Sequence, residues 1–294
     1  MSSTTQQREQ VVERVLGGIS HIATLPEITL KIIDLVEDPS STAQDLHDVI
    51  SNDPTLSTRI LKVVNSSFYG LPGQIGSINR AIVMLGLNAV KNIAIAASLA
   101  KLFRGGELTS DFSAKDLWAH SNATAAVAKV IADELKLGLS DEAYLAGLIH
   151  DIGIMVELQA DRDALIEVIE RIETDENGNP TVDMREIEVE AFGASHEDFG
   201  RGLCTRWRFP AIFGSVTGFH HEPARAPEAH RTLTNLIAVA DRVVAGMGVG
   251  FRLDIQDAEP TAEMLEAIGL SAERLESMAE KLDEIVQNLE HSMV

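Results

Sequence analysis

Seven ionisable side chains interrupt stretches that are otherwise apolar, and their types are those of metal ligands. His120 falls three residues after Leu117 and four before Thr124, within the helical stripe Leu117, Thr124, Val127, Ile131, Leu135, so it points inward. Taken alone, an inward histidine reads as a core imidazole bonded to a carbonyl. The segment AYLAGLIHDIGIMVEL reads as one central helix, apolar almost all round except at His150 and Asp151. Asp241 repeats the situation in LTNLIAVADRVVAG. A buried, ionised carboxylate is costly unless a cation or several donors compensate it, and neither aspartate has an inward Lys or Arg in its own segment. A bound metal with neutral imidazoles as co-ligands would supply the charge. The competing reading is an aspartate that caps a neighbouring helix or pairs with Arg242. His196 opens the segment HEDFGRGLCTRW, and His220 and His221 close the helix that follows. Adjacent histidines on one helix differ by about 100°, so both face one ion only where the helix ends, which the following Glu222-Pro223 allows. The pair also reads as a solvated cap favoured by the helix dipole. His21, His47, His230 and His291 sit in exposed-looking contexts and carry no assignment.

The elements that must position these residues read as helix after helix. Asp53-Pro54 has the form of an N-cap with proline at the first helical position; Ser113 with Asp116 and Ser195 with Asp198 have the spacing of a capped helix start. Pro210 is expected to open the helix that ends in His220-His221. No run of period-two alternation bounded by hairpin turns is evident, so the expected fold is all-α. Three sections are expected: a helical lobe over 1–110, a second helical lobe over 111–250 carrying the histidines, and a helical extension over 251–294. TDENGNP at 174–180 reads as a surface loop. Arg104-Gly105-Gly106 reads as the break after the first lobe. The last helix carries Leu275, Met278, Leu282, Ile285 and Leu289, a spacing that fits a cap packed on the body or, over only two heptads, a dimer seam. VNSSFYG offers Asn65, Ser66, Ser67 and Tyr69 but no neighbouring base, so it reads as a helix end and turn, with a partner surface as the alternative. Cys204, one turn before Trp207, reads as a core thiol.

Composition bounds the function. With 24 basic and 45 acidic residues the formal charge of the 294-residue chain is −21, which opposes binding to nucleic acid or to anionic membranes. A single cysteine excludes an intrachain disulfide and points to a reducing compartment. The N-terminus lacks a signal-peptide pattern and the apolar stretches are broken by charges, so a soluble, cytoplasmic protein is expected.

The order His120, His150-Asp151, Asp241 on separate helices resembles the HD superfamily of metal-dependent phosphohydrolases, and His196, His220 and His221 fall where its HD-GYP branch places ligands for a second metal. The segments LPEITLKIIDLVED, SNDPTLSTRILKVVNSSFYG, SINRAIVMLGLNAVKNIAI, LWAHSNATAAVAKVIA, AYLAGLIHDIG, HEDFGRGLCTRWRFP and FHHEP, over about residues 21–223, together resemble the HDOD domain, the HD-related output domain of bacterial signalling proteins. The resemblance implies a two-lobed helical bundle and a regulatory role exercised through protein–protein contacts. It implies a metal site of His120, His150, Asp151, His196, His220, His221 and Asp241, holding one or two divalent ions. With no cysteine ligand, Fe, Mn or Mg suits that set better than structural zinc. A nucleotide or phosphate is the ligand class such a cleft takes. Two departures from HD-GYP enzymes weigh against cyclic-di-GMP hydrolysis. Ile154 stands where that branch has a lysine, and Pro-Ala-Arg-Ala-Pro follows His220-His221-Glu222 in place of Gly-Tyr-Pro. The alternative to a regulator is a metal-dependent phosphohydrolase acting on a nucleotide or other phosphate ester. The third reading is a helical scaffold whose histidines and aspartates only bond one another.

Overall fold

Helix starts fall where short polar side chains satisfy the first free N–H groups. In the computed structural model, which describes residues 3–19, 27–38, 40–66, 69–100, 102–103, 107–109, 112–176 and 178–292, the chain opens with α1 (Ser3–Gly18), α2 (Glu27–Glu37), α3 (Ala43–Ser51) and α4 (Pro54–Val64). Asp53 accepts N–H bonds from Thr55 and Leu56 at 2.9 and 3.0 Å, with Pro54 at the first position of α4, as the sequence predicts. Then come α5 (Ile78–Leu85) and α6 (Leu87–Leu99). Asn65 clamps the loop between α4 and α5: its amide donates to the carbonyls of Leu61 and Ile75 and accepts from the Ile75 N–H at 2.7 Å. That is a structural use of VNSSFYG; its Ser67 and Phe68 lie outside the described residues, as do His21 and Arg104-Gly105-Gly106.

The all-α expectation needs one addition. Glu107–Thr109 (β1) and Phe112–Ser113 (β2) pair antiparallel ahead of α7 (Ala114–Leu135). Strands of three and two residues are too short to show alternation. Ser113 caps α7 through the Asp116 N–H at 3.1 Å.

The sequence predicts one central helix over AYLAGLIHDIGIMVEL, and the structure has two, α8 (Ser140–Ile149) and α9 (Ile152–Ala160). The chain turns at Asp151, whose backbone at φ −96°, ψ 15° leaves the helical region and whose side chain caps nothing. The doublet thus sits at a break, not along a helix wall. Two glycines allow the close approaches around it. A Cβ on Gly147 would lie 2.7 Å from Ala125 Cα of α7, and one on Gly153 only 1.9 Å from the His196 carbonyl oxygen.

After α10 (Arg162–Glu170) and a loop whose Thr174, Asp175 and Glu176 are exposed while Pro180 is buried, α11 (Met184–Phe192) leads to α12 (His196–Arg206), which opens with the expected Ser195/Asp198 capping box. The next helix, α13 (Ala211–Phe219), starts one residue later than expected, because Pro210 is itself the N-cap in extended backbone, ψ 138°. Two 3-10 turns precede α14 (Arg231–Gly246), followed by α15 (Ala262–Ile268) and α16 (Ala272–Ser292). Helices α7, α8 and α14 pack on one another at the centre. Helix α6 is buried along 89–99 and joins α2 and α4 to α8. Helix α16 lies on α7, burying Met278, Leu282 and Val286, while its Arg274 donates to the Glu134 carbonyl at 3.0 Å. Cys204 is buried beside Thr217, 3.7 Å from its hydroxyl, and burial pushes the thiol up to about 12. Among the described residues no helix is long and apolar enough to cross a membrane.

Candidate metal centre

The fold brings all seven sequence-predicted residues to one place. His120 comes from the second turn of α7, His150 and Asp151 from the α8/α9 break, His196 from the first position of α12, His220 and His221 from the end of α13, and Asp241 from α14. His120 Nε2 lies 2.8 Å from Asp241 Oδ1, and His150 Nε2 lies 3.5 Å from the same oxygen and 3.1 Å from Asp151 Oδ2. Asp151 Oδ1 is 3.1 Å from His220 Nε2 and 4.0 Å from His196 Nε2, and His196 Nε2 faces His221 Nε2 at 3.0 Å. Six of the seven side chains are wholly buried, and His221 is 5% exposed. The competing readings fail on geometry: Asp151 caps no N–H, Arg242 donates to the Ala238 carbonyl at 3.0 Å instead of pairing with Asp241, and the His220-His221 pair is not solvated. His230 takes no part, its Nδ1 lying 2.7 Å from Ser215 Oγ.

Four imidazoles share one orientation. The Nδ1 atoms of His120, His150 and His220 meet the carbonyls of Val249, Gly147 and Val216 at 3.3, 2.7 and 3.3 Å, and His196 Nδ1 meets the Glu188 carboxylate at 2.8 and 2.9 Å. A carbonyl or carboxylate takes an N–H, so each Nδ1 carries the proton and each Nε2 turns its lone pair toward the carboxylates. Lone pairs cannot face carboxylate oxygens at 2.8–3.5 Å without a cation between them: either a second proton on the ring or a metal. Five inward atoms of this set, His150 Nε2, both Asp151 oxygens, His220 Nε2 and Asp241 Oδ2, have no hydrogen-bond partner. Orphaned buried atoms, convergent N and O donors and fixed tautomers together fit a divalent ion.

Three acidic residues that the sequence reading missed complete the site. Asp254, in the irregular segment after α14, places Oδ2 3.5 Å from His221 Nε2 with its side chain fully buried. Both its oxygens lack hydrogen-bond partners. Its ligand atom groups with those of His220, His221 and Asp241 within 4.8 Å. Asp151, His196, His220 and His221 form a second such group, and His120, His150 and Asp241 a third. Glu188, on α11, holds His196 by ring and by backbone N–H. Glu157, on α9, is buried against Glu188. No sequence signal marks Asp254, which lies outside any periodic run; Glu157 falls within the segment read as apolar, and Glu188 in a stretch that carried no assignment.

Proton affinities follow from the crowding of charge. Burial alone would lower the imidazoles, but Asp241 holds His120 above its usual value, and Asp151 and Asp241 hold His150 well above it. Glu188, again against burial, raises His196 to about 10. Burial and the neighbouring imidazoles of His220 and His196 push His221 well below the ordinary range, so its ring is neutral. His150 and His220 outweigh burial to keep Asp151 well below the carboxylate range; His150 and His120 do the same for Asp241. Burial, then the charges of Asp151 and Asp241, lift Asp254 to about 8. Burial and the Glu188 charge lift Glu157 well above the carboxylate range.

Comparison with known proteins gives the family and the fold. The sequence profile of the HDOD domain matches residues 22–223. An uncharacterized protein of Treponema pallidum is 26% identical over 242 residues, 81% of this chain and 45% of its own, so the chain spans less than half the length of that relative. An HDOD domain protein with unknown function from Geobacter sulfurreducens has the same fold, with a TM-score of 0.80 at 24% identity over 98% of this chain and 99% of that one. A structure named as a candidate phosphohydrolase, from Shewanella amazonensis, gives 0.72 at 23% over 96% and 97%. One named as a candidate signal transduction protein, from Marinobacter aquaeolei, gives 0.75 at 23% over 99% of this chain and 64% of that one. At these identities the likeness is one of fold. Asp241 and Asp254 both lie beyond the matched residues 22–223.

Proposed function

The chain belongs to the HDOD domain family, and from that premise we propose that it is a signal-transduction regulator that holds one or two divalent metal ions and acts through contacts with protein partners. The observation that carries the metal is the convergence of orphaned, buried donor atoms on one point. His120, His150 and Asp241 would hold one ion, and Asp151, His196, His220 and His221 another, with Asp254 beside both. The mix of imidazole and carboxylate donors without thiolate suits Fe or Mn better than Mg. The ions would neutralise three buried carboxylates and act as Lewis acids toward a phosphate oxygen.

Two features favour regulation over turnover. The ligand side chains are sealed from solvent, and no Lys or Arg among the described residues contacts them. Arg185, which contributes to the field at His221, is tied to Asp183 and Glu197 at 2.6 and 2.9 Å. Ile154, fully buried, stands where a phosphate-gripping lysine would be needed. The second reading, metal-dependent hydrolysis of a phosphate ester, draws on the adjoining ligand groups, since two neighbouring ions are the arrangement that clamps attacking and leaving oxygens.

An assay separates the two. Full-length protein loaded with Mn or Fe is incubated with bis-p-nitrophenyl phosphate and with cyclic and linear nucleotides. The regulatory reading expects release no faster than from the His150→Ala protein. Turnover abolished by both His150→Ala and Asp151→Ala would overturn it in favour of the hydrolase.

A further inference from the structure

A cleft of about 290 Å³ opens between α4 and α6 on one side and α7 and α8 on the other. It backs onto the metal centre without sharing a residue with it. Asn122 lines it two residues after His120, and Leu148 two residues before His150. Two residues are about 200° of helical rotation, so cleft and centre occupy opposite faces of the same two helices. The floor is apolar, made by Ala97, Leu148 and the Trp118 ring, which packs at a tilt against Phe103 with centroids 4.8 Å apart, and Leu289 of α16 closes one edge.

The charged side chains that line this cleft are both cationic. Arg59 and Lys62 stand three apart on α4 and both line it. Neither forms an ion pair among the described residues, although acidic residues outnumber basic ones by 45 to 24 along the chain. No Asp or Glu among the described residues lines the cleft. Two neighbouring cations over an apolar floor complement one chemistry: an apolar body with an anionic head. We propose that this cleft binds a small amphipathic anion, its apolar body seated against Trp118, Ala97 and Leu148 and its carboxylate or phosphate between Arg59 and Lys62. The site is independent of the metal reading.

Trp118 is one of two tryptophans, and the other, Trp207, is 1% exposed in the core, so quenching of tryptophan emission reports the cleft. Full-length protein is titrated with 1-naphthoate, 1-naphthyl phosphate and neutral 1-naphthylmethanol. The expected result is saturable quenching by the two anions, about tenfold tighter than by the alcohol, a difference of about 1.4 kcal/mol. The tighter of the two anions identifies the head group. Arg59→Gln with Lys62→Gln, the first half-buried and the second exposed, is expected to erase the preference for anions and leave the alcohol unchanged. Ala97→Leu, with an unaltered circular dichroism spectrum, is expected to weaken all three. Equal affinity for anion and alcohol, an anion preference that survives the double substitution, or no saturation would overturn the proposal. So would quenching by an acidic helical peptide alone, which would give the cleft to a protein partner.

Discussion

Four of the five inward imidazoles, all but His221, have one nitrogen already spent on a carbonyl or carboxylate, which is why the other must hold either a proton or a metal. Glu188 is the partner with most leverage, since it fixes His196 through two N–H groups and is itself backed by Glu157. Glu188→Gln is expected to weaken metal binding about 10- to 100-fold with the fold retained, read by competition against a chromogenic chelator; unchanged affinity would remove Glu188 from the site. Without metal, protons take over the ions' role. His196, raised to about 10, and Asp254, raised to about 8, bind more protons folded than unfolded between pH 7 and 9. Stability therefore falls as pH rises through that window. Thermal unfolding of chelator-treated protein is expected at a lower temperature at pH 9 than at pH 7, and the reverse order would contradict these assignments. The ligands themselves were legible because histidine and aspartate are conspicuous in apolar runs. Glu188 was not, because an acid on a short helix looks the same in sequence whether it faces water or a histidine.

At the scale of elements, the site is assembled from ends and breaks more than from helix walls. Asp151 turns the chain between α8 and α9, His196 begins α12 and His220-His221 follow α13. The caps that fix these ends were readable, since a Ser-x-x-Asp pattern satisfies N–H groups locally whatever the tertiary context. The break at the doublet was not: hydrophobicity continues unchanged from AYLAGLI to IGIMVEL, and only the backbone of Asp151 departs. Gly153 is the hinge of this arrangement. Gly153→Ala sets a methyl 1.9 Å from the His196 carbonyl, where backbone must give way. A loss of about 3 kcal/mol is expected from urea unfolding, together with lost metal, because α9 and α12 then separate along with Asp151 and His196. A loss under about 1 kcal/mol would show that the helices are not held this close.

On the scale of the whole molecule, the chain after the HDOD match is part of the centre. Asp241 and Asp254 both come from it, Val249 takes the His120 N–H, and the Phe251 N–H reaches the Asp116 carbonyl at 3.2 Å. The end of this region, residues 253–294, is acidic in sequence, with eleven acidic residues against two basic, and its last helix is amphipathic, but nothing in it revealed that Asp254 would be carried inside. The seven predicted ligands span some 120 positions, so only a fold that closes α7, α12, α14 and the end of α13 around the α8/α9 break can join them. The most direct test is elemental analysis of the protein purified without chelator, beside His150→Ala and Asp151→Ala. One to two equivalents of Fe or Mn per chain are predicted, with both variants folded and depleted. A folded wild-type protein that stays metal-free after incubation with excess Fe or Mn would contradict the account.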